Sequence, residues 1–359
     1  MSDTFRDLLK LVGSGPHTGK NLSRKQAKNA TLAMLTGEAT PAQIGAFMIA
    51  HRIRRPTPVE MAGMFDAYKT LSGQLQPRSD QQQPLVFGIP YDGRTRTAPV
   101  GPLTALVVAT AGVPSIQHGG DRMPTKHGIC LVELWQQLGV DWTGLSLEQS
   151  QQLFETQQLG FVYQSRHFPE AETLVTYRDQ IGKRPPLATL ELVWTPYTGA
   201  ATTIAGYVHP PTEHTLQQTC RAVGGFHRFV AVKGLEGSCD LPRNRTGIAS
   251  IDALDGTEPE RLLLHPREFG MGGEELPCVS GEDWGRSMQA VLRGEAGEWL
   301  NTCVWNGGFY LWLAGAVDTI AGGLDMAREL LVSGKVRAHL QGLQAAIEAV
   351  HGAQIDARV

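Results

Sequence analysis

Cysteines are few in this sequence, and long apolar runs are missing. The 359 residues contain five cysteines, an odd and widely scattered set without any Cys-x-x-Cys spacing. A disulfide framework or a structural zinc site is therefore not expected, and the pattern favours a reducing, cytoplasmic compartment. No run of about 18 apolar residues occurs, and the N-terminal MSDTFRDLLK lacks the apolar core of a signal peptide. We expect a soluble protein without a membrane span.

An excess of charge of either sign is also lacking. The formal net charge is −3, from 32 Lys and Arg against 35 Asp and Glu, so the bulk charge does not call for a polyanionic partner. Hydrophobic residues make up 42% and charged residues 19%, which is ordinary for a globular protein. The length allows two domains, or one large domain with an accessory piece.

The N-terminal part of the chain carries helical signals. Apolar residues recur at i, i+3, i+4 and i+7 within residues 5–12, and Gly13–Pro16 follows as a stop. Residues typical of helix N-caps stand at Ser23, Thr40 and Thr57, and proline follows the last two at the first helical position. These signals predict four short helices in this region.

After a polar connector at 74–84, short strands alternate with helices. Strands are predicted at 85–87, 114–116 and 228–232, and helices at 103–111, 132–138 and 213–223. This alternation is typical of βαβ units. The sequence therefore predicts an α/β fold with two domains. Residues 1–75, with a contribution from about 165–185, form a small N-terminal helical domain, and residues 76–359 form a larger α/β domain with a mostly parallel central sheet.

The loops that follow the predicted strands are the candidate site, because ligands bind parallel sheets at the carboxyl ends of strands. The first loop, 88–97, has glycines at both ends of a turn, and its backbone N–H groups can face a phosphate. Pro90 removes one donor. The second loop, 117–128, is rich in glycine and carries cations that can neutralise phosphate oxygens. The alternative for the first loop is an ordinary turn with exposed arginines.

A third loop, 233–240, carries carboxylates that could hold Mg²⁺ together with waters, or could form a solvated acidic turn. In the second loop, His118, Asp121 and His127 do not have the spacing of a common metal site. The candidate phosphate- or phosphoribosyl-binding residues of the first two loops are Gly88, Asp92, Gly93, Arg94, Arg96, His118, Gly119, Arg122 and Lys126.

Several segments follow the pattern of a known family. They are residues 22–27 and 37–47, Lys126–Gly128 and Gly322–Glu329. Over roughly residues 1–340 the chain resembles the anthranilate phosphoribosyltransferase family, which is glycosyltransferase family 3 with a nucleoside phosphorylase-like fold. The resemblance implies a reaction of tryptophan biosynthesis, in which the amine of anthranilate attacks C1 of phosphoribosyl pyrophosphate and pyrophosphate leaves. It also implies Mg²⁺, a homodimer through the N-terminal helices, and Arg178 facing the acceptor.

The departures from the family pattern fall in the loops. Pro90 and Tyr91 stand where the family loop Gly-Thr-Gly-Gly-Asp-Gly has its middle residues, and Ala98 stands near a family asparagine. Cys239 and Asp240 take the place of an Mg²⁺-binding Asp-Glu pair, which leaves Asp240 as the metal candidate. Losing one preorganised donor can lower a rate by about 10²–10³. The changes resemble a divergent branch of the family, some members of which are thought to bind nucleic acid.

Three hypotheses follow from the sequence. The first is a family-fold protein with a pocket for a small phosphorylated ligand, in which standard anthranilate transfer is lost or altered. The second is an active phosphoribosyltransferase that acts on anthranilate or a related aromatic acceptor. The third is a non-catalytic nucleic-acid-binding protein, which clustering of basic residues on one face would favour. Those residues are Arg24, Lys25, Lys28, Arg52, Arg54 and Arg55.

Overall fold

The structure is a computed structural model that describes residues 3–15, 17–78, 80 and 82–356. Pro16 in the expected helix stop, and Ser79 and Gln81 in the expected connector, lie outside this part of the chain. The outermost residues of the two predicted domains, 1–2 and 357–359, also lie outside it.

The N-terminal helices begin where the capping residues predict. Within the described residues they are α1 (Asp3–Gly13), α2 (Arg24–Leu35), α3 (Pro41–Arg54) and α4 (Pro58–Leu71). The side chains of Ser23, Thr40 and Thr57 each accept the N–H of the residue three positions on, and the Gln or Glu side chain there accepts the capping residue's N–H. The prediction of helices in this region is confirmed.

One sheet of seven strands forms the centre of the described chain. The strands are β1 (Leu85–Gly88), β2 (Ser115–Gly119), β3 (Leu159–Tyr163), β4 (Thr202–Gly206), β5 (Arg228–Val232), β6 (Gly247–Asp252) and β7 (Glu260–Leu264). Their order is β3-β2-β1-β4-β5-β6-β7, parallel from β3 to β5 and antiparallel from β5 to β7. The sheet is mostly parallel, as predicted, and the antiparallel pair at one edge is an addition to that prediction.

Helices connect and cover these strands. They are α5 (Gly101–Thr110), α6 (Leu131–Gln137), α7 (Leu147–Gln157), α8 (Gln164–His167), α9 (Pro169–Glu172), α10 (Val175–Ile181), α11 (Leu187–Leu190), α12 (Pro210–Val223), α13 (Gly281–Leu292), α14 (Glu298–Leu313), α15 (Ile320–Val332) and α16 (Lys335–Asp356). Short 3₁₀ turns lie at Leu235–Gly237 and Pro266–Phe269. Among the described helices, none has the length and apolar character needed to cross a membrane.

Strand residues alternate between the two faces of the sheet, as the pleat requires. In β5, Val230 and Val232 join an apolar cluster that includes residues of α5 and α14. Phe229 and Ala231 join another cluster, which includes residues of α2, α3 and α4. The N-terminal helices therefore pack against one face of the sheet, and the C-terminal helices cover the other.

The segment expected to join the helical domain makes contact with it. Helix α10 packs against α3, and the N–H of Gly73 donates to the carbonyl oxygen of His167 at 2.8 Å. Leu75, at the predicted boundary, forms a bridge with Tyr197. The division at residue 75 stays a prediction, because the chain makes contacts in both directions there.

The carboxyl ends of β1 to β5 lie along one edge of the sheet, because these strands are parallel. The first, second and third loops follow β1, β2 and β5, so the fold brings them to the same edge. The residues after β3 and β4, at 164–167 and 207–210, reach this edge as well. These last two segments were not predicted from the sequence as parts of the candidate site.

Candidate functional site

The two glycines of the first loop are fixed by close contacts. A Cβ on Gly88 would lie 1.8 Å from the carbonyl oxygen of Leu192, so the strand end packs directly on the segment after α11. Gly93 has φ 75°, in the left-handed region that favours glycine, and its N–H donates to the carbonyl of Pro90 at 3.0 Å. These contacts hold the loop in a tight turn at the edge of the sheet.

Beyond this turn, consecutive backbone N–H groups point at one carboxylate. The N–H groups of Arg96 and Thr97 donate to Oε1 of Glu236 at 3.0 and 2.9 Å, and the Thr95 N–H lies 3.4 Å from Oε2. The hydroxyl of Thr97 also donates to Oε1, at 3.0 Å. We call the N–H groups of Thr95, Arg96 and Thr97 the anion nest, because successive amides of this kind form a concavity that binds anions.

Cations surround the carboxylate in the anion nest. Nζ of Lys126 lies 3.4 Å from Oε2 of Glu236, Nε of Arg96 lies 3.6 Å from Oε2, and Nε of Arg94 lies 3.8 Å from Oε1. Burial alone would raise the pKa of Glu236, but the donors of Thr97 and Arg96 and the charge of Lys126 lower this pKa to about 2. The nest is therefore an anion site in which a side chain of the protein itself is bound.

Arg94 occupies a different place from the one expected. Its guanidinium is buried, with 3% of the residue exposed, and pairs with the carboxylate of Asp240. The backbone N–H of Val100, which precedes α5, donates to the same carboxylate at 3.0 Å. Arg94 and Asp240 thus join the first loop to the third, and the guanidinium does not face open solvent.

The carboxylates at this edge do not fit a magnesium ion held by protein ligands. Oδ2 of Asp240 already accepts from both Arg94 and Val100, and Glu236 lies in the anion nest. Among the described residues, no group of three or more His, Cys, Asp or Glu side chains comes together as a metal site. Mg²⁺ usually takes one or two carboxylates plus phosphate oxygens of a substrate, so a bound ion here would depend on the ligand.

The two cations of the second loop separate in the structure. Lys126 turns towards the first loop and also donates to the carbonyl of Gly93 at 3.2 Å. Arg122 turns towards α6, where Nε and Nη2 donate to the Glu133 carboxylate at 2.6 and 2.8 Å. Of this expected pair, Lys126 reaches the anion nest and Arg122 is engaged in an ion pair elsewhere.

His118 and Gly119 lie at the end of β2, and the imidazole is fully buried. Its Nδ1 is hydrogen-bonded to the hydroxyl of Tyr91, and its ring packs edge-on against Trp194 with centroids 5.2 Å apart. Burial lowers the pKa of His118 to about 3, so the ring is neutral. His118 supports the loop from below, and the ring is not placed to contact a ligand directly.

A cleft of about 820 Å³ opens beside the anion nest, on the side of the first loop that faces α11 and the start of α12. Its lining includes Asp92, Arg178, Arg184, Thr212 and Glu236. This volume is within the range of small-molecule sites. The space between the first and second loops, where we expected a phosphate, is a cavity of only about 40 Å³. Of these two spaces, the cleft is the larger.

Two ion pairs form part of the cleft wall, one with an exposed arginine and one that is buried. Asp92 accepts from Nε of Arg184 at 2.7 Å. Arg178, the residue expected to face the acceptor, lines the cleft but is 3% exposed and donates to Glu191 at 2.8 Å. Burial raises the pKa of Glu191, although its attraction to the Arg178 guanidinium opposes this shift. Arg178 can therefore contact a ligand only from the floor of the cleft.

Comparisons with known proteins decide the family. The profile described as "Glycosyl transferase family, helical bundle domain" matches residues 6–71, and that described as "Glycosyl transferase family, a/b domain" matches residues 93–337. An anthranilate phosphoribosyltransferase of Methylobacterium radiotolerans is 28% identical over 346 residues, 95% of this chain and 96% of that protein. The chain belongs to the anthranilate phosphoribosyltransferase family.

Other members of the family share its length and fold. The enzyme of Sinorhizobium medicae is 28% identical over 325 residues, 90% of this chain and 93% of that protein. The crystal structure of the Thermus thermophilus enzyme matches with a TM-score of 0.79 and 21% identity over 97% of this chain and all of that one. The Saccharomyces cerevisiae enzyme in complex with PRPP and Mg matches with a TM-score of 0.81 and 17% identity, over 97% and 99%. The helical and α/β architecture predicted from the sequence is that of the family.

At three positions where this chain departs from the family pattern, the side chains are buried. Tyr91, Ala98 and Cys239 are each no more than 4% exposed. The thiol of Cys239 lies 3.1 Å from the carbonyl oxygen of Gly88, and burial raises the pKa of this thiol. Ala98 and Cys239 therefore fill space beneath the loops, whereas Tyr91 also lines the cleft, with its hydroxyl hydrogen-bonded to His118.

Glu191 was not predicted from the sequence as a residue of the site, and Glu236 was not predicted to bind in an anion site. Glu236 stood in the third loop, whose carboxylates were interpreted as possible Mg²⁺ ligands or as a solvated acidic turn. Its partners are about 140 residues away along the chain, and no local pattern indicates such a contact. The one local signal was the pair of glycines around it, Gly234 and Gly237, which is typical of a tight turn.

Proposed function

We propose that this protein binds a phosphoribosyl-type phosphorylated ligand at the carboxyl edge of the sheet and transfers the phosphoribosyl group to an aromatic amine in the cleft. The observation that carries the proposal is the anion nest, with Lys126 and Arg96 beside it, at the border of a cleft of about 820 Å³. The family relatives support the same reaction class, since those named here are anthranilate phosphoribosyltransferases.

In this reaction, the lone pair of the acceptor nitrogen forms a bond to C1 of the ribose, the bond from C1 to the diphosphate oxygen breaks, and the nitrogen releases a proton. Negative charge grows on the departing diphosphate. The ammonium of Lys126 and the guanidinium of Arg96 lie where they could stabilise that charge, and preorganised donors of this kind act without rearrangement. The cleft supplies the second requirement, which is to hold the two reactants together.

The acceptor would lie against the wall formed by Pro90, Leu192 and Arg178. Apolar side chains there suit an aromatic ring, and the guanidinium on the floor suits a carboxylate. Because the family positions under the loops carry Tyr91 and Cys239, we propose that transfer to anthranilate itself is slower than in the relatives. A related aromatic amine is then the preferred acceptor.

A direct assay tests this function. The full-length protein is incubated with phosphoribosyl pyrophosphate, Mg²⁺ and a panel of aromatic amines that includes anthranilate, and release of pyrophosphate is measured. We expect acceptor-dependent release, and a fall on the order of 10² for Lys126→Gln, because a preorganised charge is lost. Lys25→Gln, on the exposed face of α2, is the matched control and should leave the rate unchanged. No release with any acceptor would refute transfer.

A binding protein without transferase activity is the second candidate. One observation favours it: the anion nest is filled by Glu236, which leaves no free donor there for a leaving group. If calorimetry detects phosphoribosyl pyrophosphate binding while no acceptor releases pyrophosphate, this candidate replaces the first. The nucleic-acid hypothesis gains no such support, since Arg24 and Arg54 of the basic set are held in ion pairs with Asp66 and Glu60.

We further propose that the protein is a homodimer through its N-terminal helices. Ile53 on α3 is 77% exposed and Val59 on α4 is 49% exposed, although both are large apolar residues. Such side chains on neighbouring helices are suited to a subunit contact. Light scattering at micromolar concentration should give twice the monomer mass, and Ile53→Asp should reduce it to the monomer mass. A monomer in the wild type would contradict this proposal.

A further inference from the structure

Glu236 adopts an unusual backbone conformation at the anion nest. Its φ and ψ are 53° and 22°, in the left-handed region that a residue with a side chain rarely adopts. Its neighbours Gly234 and Gly237 form a tight turn, and Gly237 also has a positive φ, of 82°. An outlier of this kind persists only where the surrounding structure holds it in place. Here the surrounding structure is the set of donors that binds its carboxylate.

The charges around the nest are not balanced by Glu236 alone. The guanidinium of Arg94 is paired with Asp240, so Lys126 and Arg96 remain as two cations against one carboxylate. A phosphate group carries about −1.5 to −2 charges near neutral pH and has three strong acceptor oxygens. It would match these cations and the nest better than the single charge of a glutamate.

The cleft offers space for the Glu236 side chain outside the nest. This side chain is 3% exposed in the nest, yet the residue lies on the wall of the cleft of about 820 Å³. A rotation about its side-chain bonds would carry the carboxylate out of the nest and into this space. The nest and the cleft are therefore alternative sites for one side chain.

We propose that Glu236 is an internal competitor, which holds the anion nest until a phosphoryl group of the ligand displaces its carboxylate into the cleft. This inference rests on the proposed function for the identity of the ligand, but it concerns the nest itself, which inorganic pyrophosphate can probe. In this arrangement only the molecules whose nest is empty can bind the ligand. The apparent affinity is therefore lower when Glu236 fills the nest in a larger fraction of the molecules.

The test compares binding of inorganic pyrophosphate, by calorimetry without Mg²⁺, to the wild type and to Glu236→Gln. The amide is neutral and its NH₂ group cannot accept from the nest, so we expect pyrophosphate to bind about tenfold more tightly, or better, to the variant. The matched control is Glu172→Gln on α9, which removes one negative charge near the same edge of the sheet without releasing a cation. The affinity of Glu172→Gln for pyrophosphate should equal that of the wild type.

Hydrogen exchange of the segment 94–98 gives a second measurement. In Glu236→Gln the amide oxygen can still accept from the nest, but it is a weaker acceptor than a carboxylate, so the N–H groups of Arg96 and Thr97 should exchange faster than in the wild type. Pyrophosphate should restore their protection. Glu236→Asp keeps the charge, but its shorter side chain would leave these N–H groups beyond hydrogen-bond distance. It should show the same exchange pattern, and it provides the test if the glutamine variant does not fold.

The opposite result would overturn the inference. If Glu236 only orders the first loop, its removal weakens pyrophosphate binding or leaves it unchanged, and pyrophosphate does not protect residues 94–98. The outcome is separable from that of the transferase assay. Tighter pyrophosphate binding by Glu236→Gln in a protein that transfers nothing would uphold the competitor and refute transfer, whereas unchanged binding in an active enzyme would do the reverse.

Discussion

Asp240 forms an ion pair with Arg94, and a change at Asp240 distinguishes a structural role of this residue from a metal-binding role. Both residues are buried, at 3% and 5% exposed, and the Asp240 carboxylate also accepts the N–H of Val100 at 3.0 Å. Asp240→Asn keeps the shape of the side chain and removes its charge. The change leaves the guanidinium of Arg94 buried without its carboxylate partner.

The expected loss follows from what remains around Arg94. Breaking a buried ion pair by removing one partner costs about 3–5 kcal/mol, because the other charge is stranded. The asparagine oxygen can still accept from Val100, and Arg94 keeps the hydroxyl of Ser238 at 3.3 Å and the more distant Glu236 carboxylate at 3.8 Å. We therefore expect the lower end of that range, about 3 kcal/mol in the free energy of unfolding. At about 1.4 kcal/mol per factor of ten, this is roughly a hundredfold change in the folding equilibrium.

Urea unfolding followed by circular dichroism measures this loss. Asp325→Asn, on the exposed side of α15, is the matched control and should stay within about 0.5 kcal/mol of the wild type. Combining Asp240→Asn with Arg94→Gln should cost less than the sum of the single changes, because the second change removes the stranded charge. A loss below about 1 kcal/mol for Asp240→Asn would refute the reasoning.

Adding Mg²⁺ in the same unfolding experiment distinguishes the ion-pair role of Asp240 from a metal-binding role. A ligand that binds the folded state raises the free energy of unfolding. If Asp240 were a metal ligand, Mg²⁺ added with pyrophosphate would stabilise the wild type more than pyrophosphate alone, and this gain would be absent in Asp240→Asn. The ion pair predicts instead that any effect of Mg²⁺ is the same in both proteins.

Three further changes test other parts of the structure. Glu60→Ala should lower the free energy of unfolding, measured in urea, by about 3 kcal/mol. The reason is that the buried carboxylate accepts the N–H of Leu22 at 2.8 Å and pairs with Arg54. A loss below about 1 kcal/mol would count against this role of Glu60. Gly88→Ala should cost about 3 kcal/mol in the same assay, since a Cβ there would lie 1.8 Å from the oxygen of Leu192, and a neutral result would be inconsistent with the packing. The pKa of His118 is lowered from 6.5 to about 3, so its contribution is complete above pH 6.5 and is lost as the pH falls towards 3. His118→Gln should therefore flatten the stability profile between pH 6.5 and 5, by up to about 1.4 kcal/mol per pH unit, and an unchanged slope would show that the ring is not held neutral.

The helical domain could be predicted from the sequence because its signals are local. The caps at Ser23, Thr40 and Thr57 bind donors only three residues away, and the apolar period of each helix lies within its own segment. The parallel sheet was predictable for a similar reason, since the alternation of strand and helix is a pattern along the chain. These features carry over to the structure with small changes of boundary.

The site was less predictable because its contacts are distant in sequence. The sequence indicates that an arginine follows a strand, but not whether it meets a ligand or a carboxylate. Arg94 meets Asp240, which is 146 residues away, and Arg122 meets Glu133 of the next helix. Lys126 of the second loop lies 3.2 Å from the Gly93 oxygen of the first loop, a contact that no local pattern indicates.

The departures from the family pattern and the anion nest have a common physical basis. Tyr91 and Cys239 are buried beneath the loops, and the cavity between the first two loops has a volume of only about 40 Å³, whereas the cleft beside the anion nest has about 820 Å³. On the cleft side the donors belong to the backbone, and their direction does not depend on the side chains at positions 95 and 96. A nest built from backbone N–H groups can therefore persist while the side chains around it change. The charges near the nest then determine which anion binds to these N–H groups. In this structure that anion is the carboxylate of Glu236.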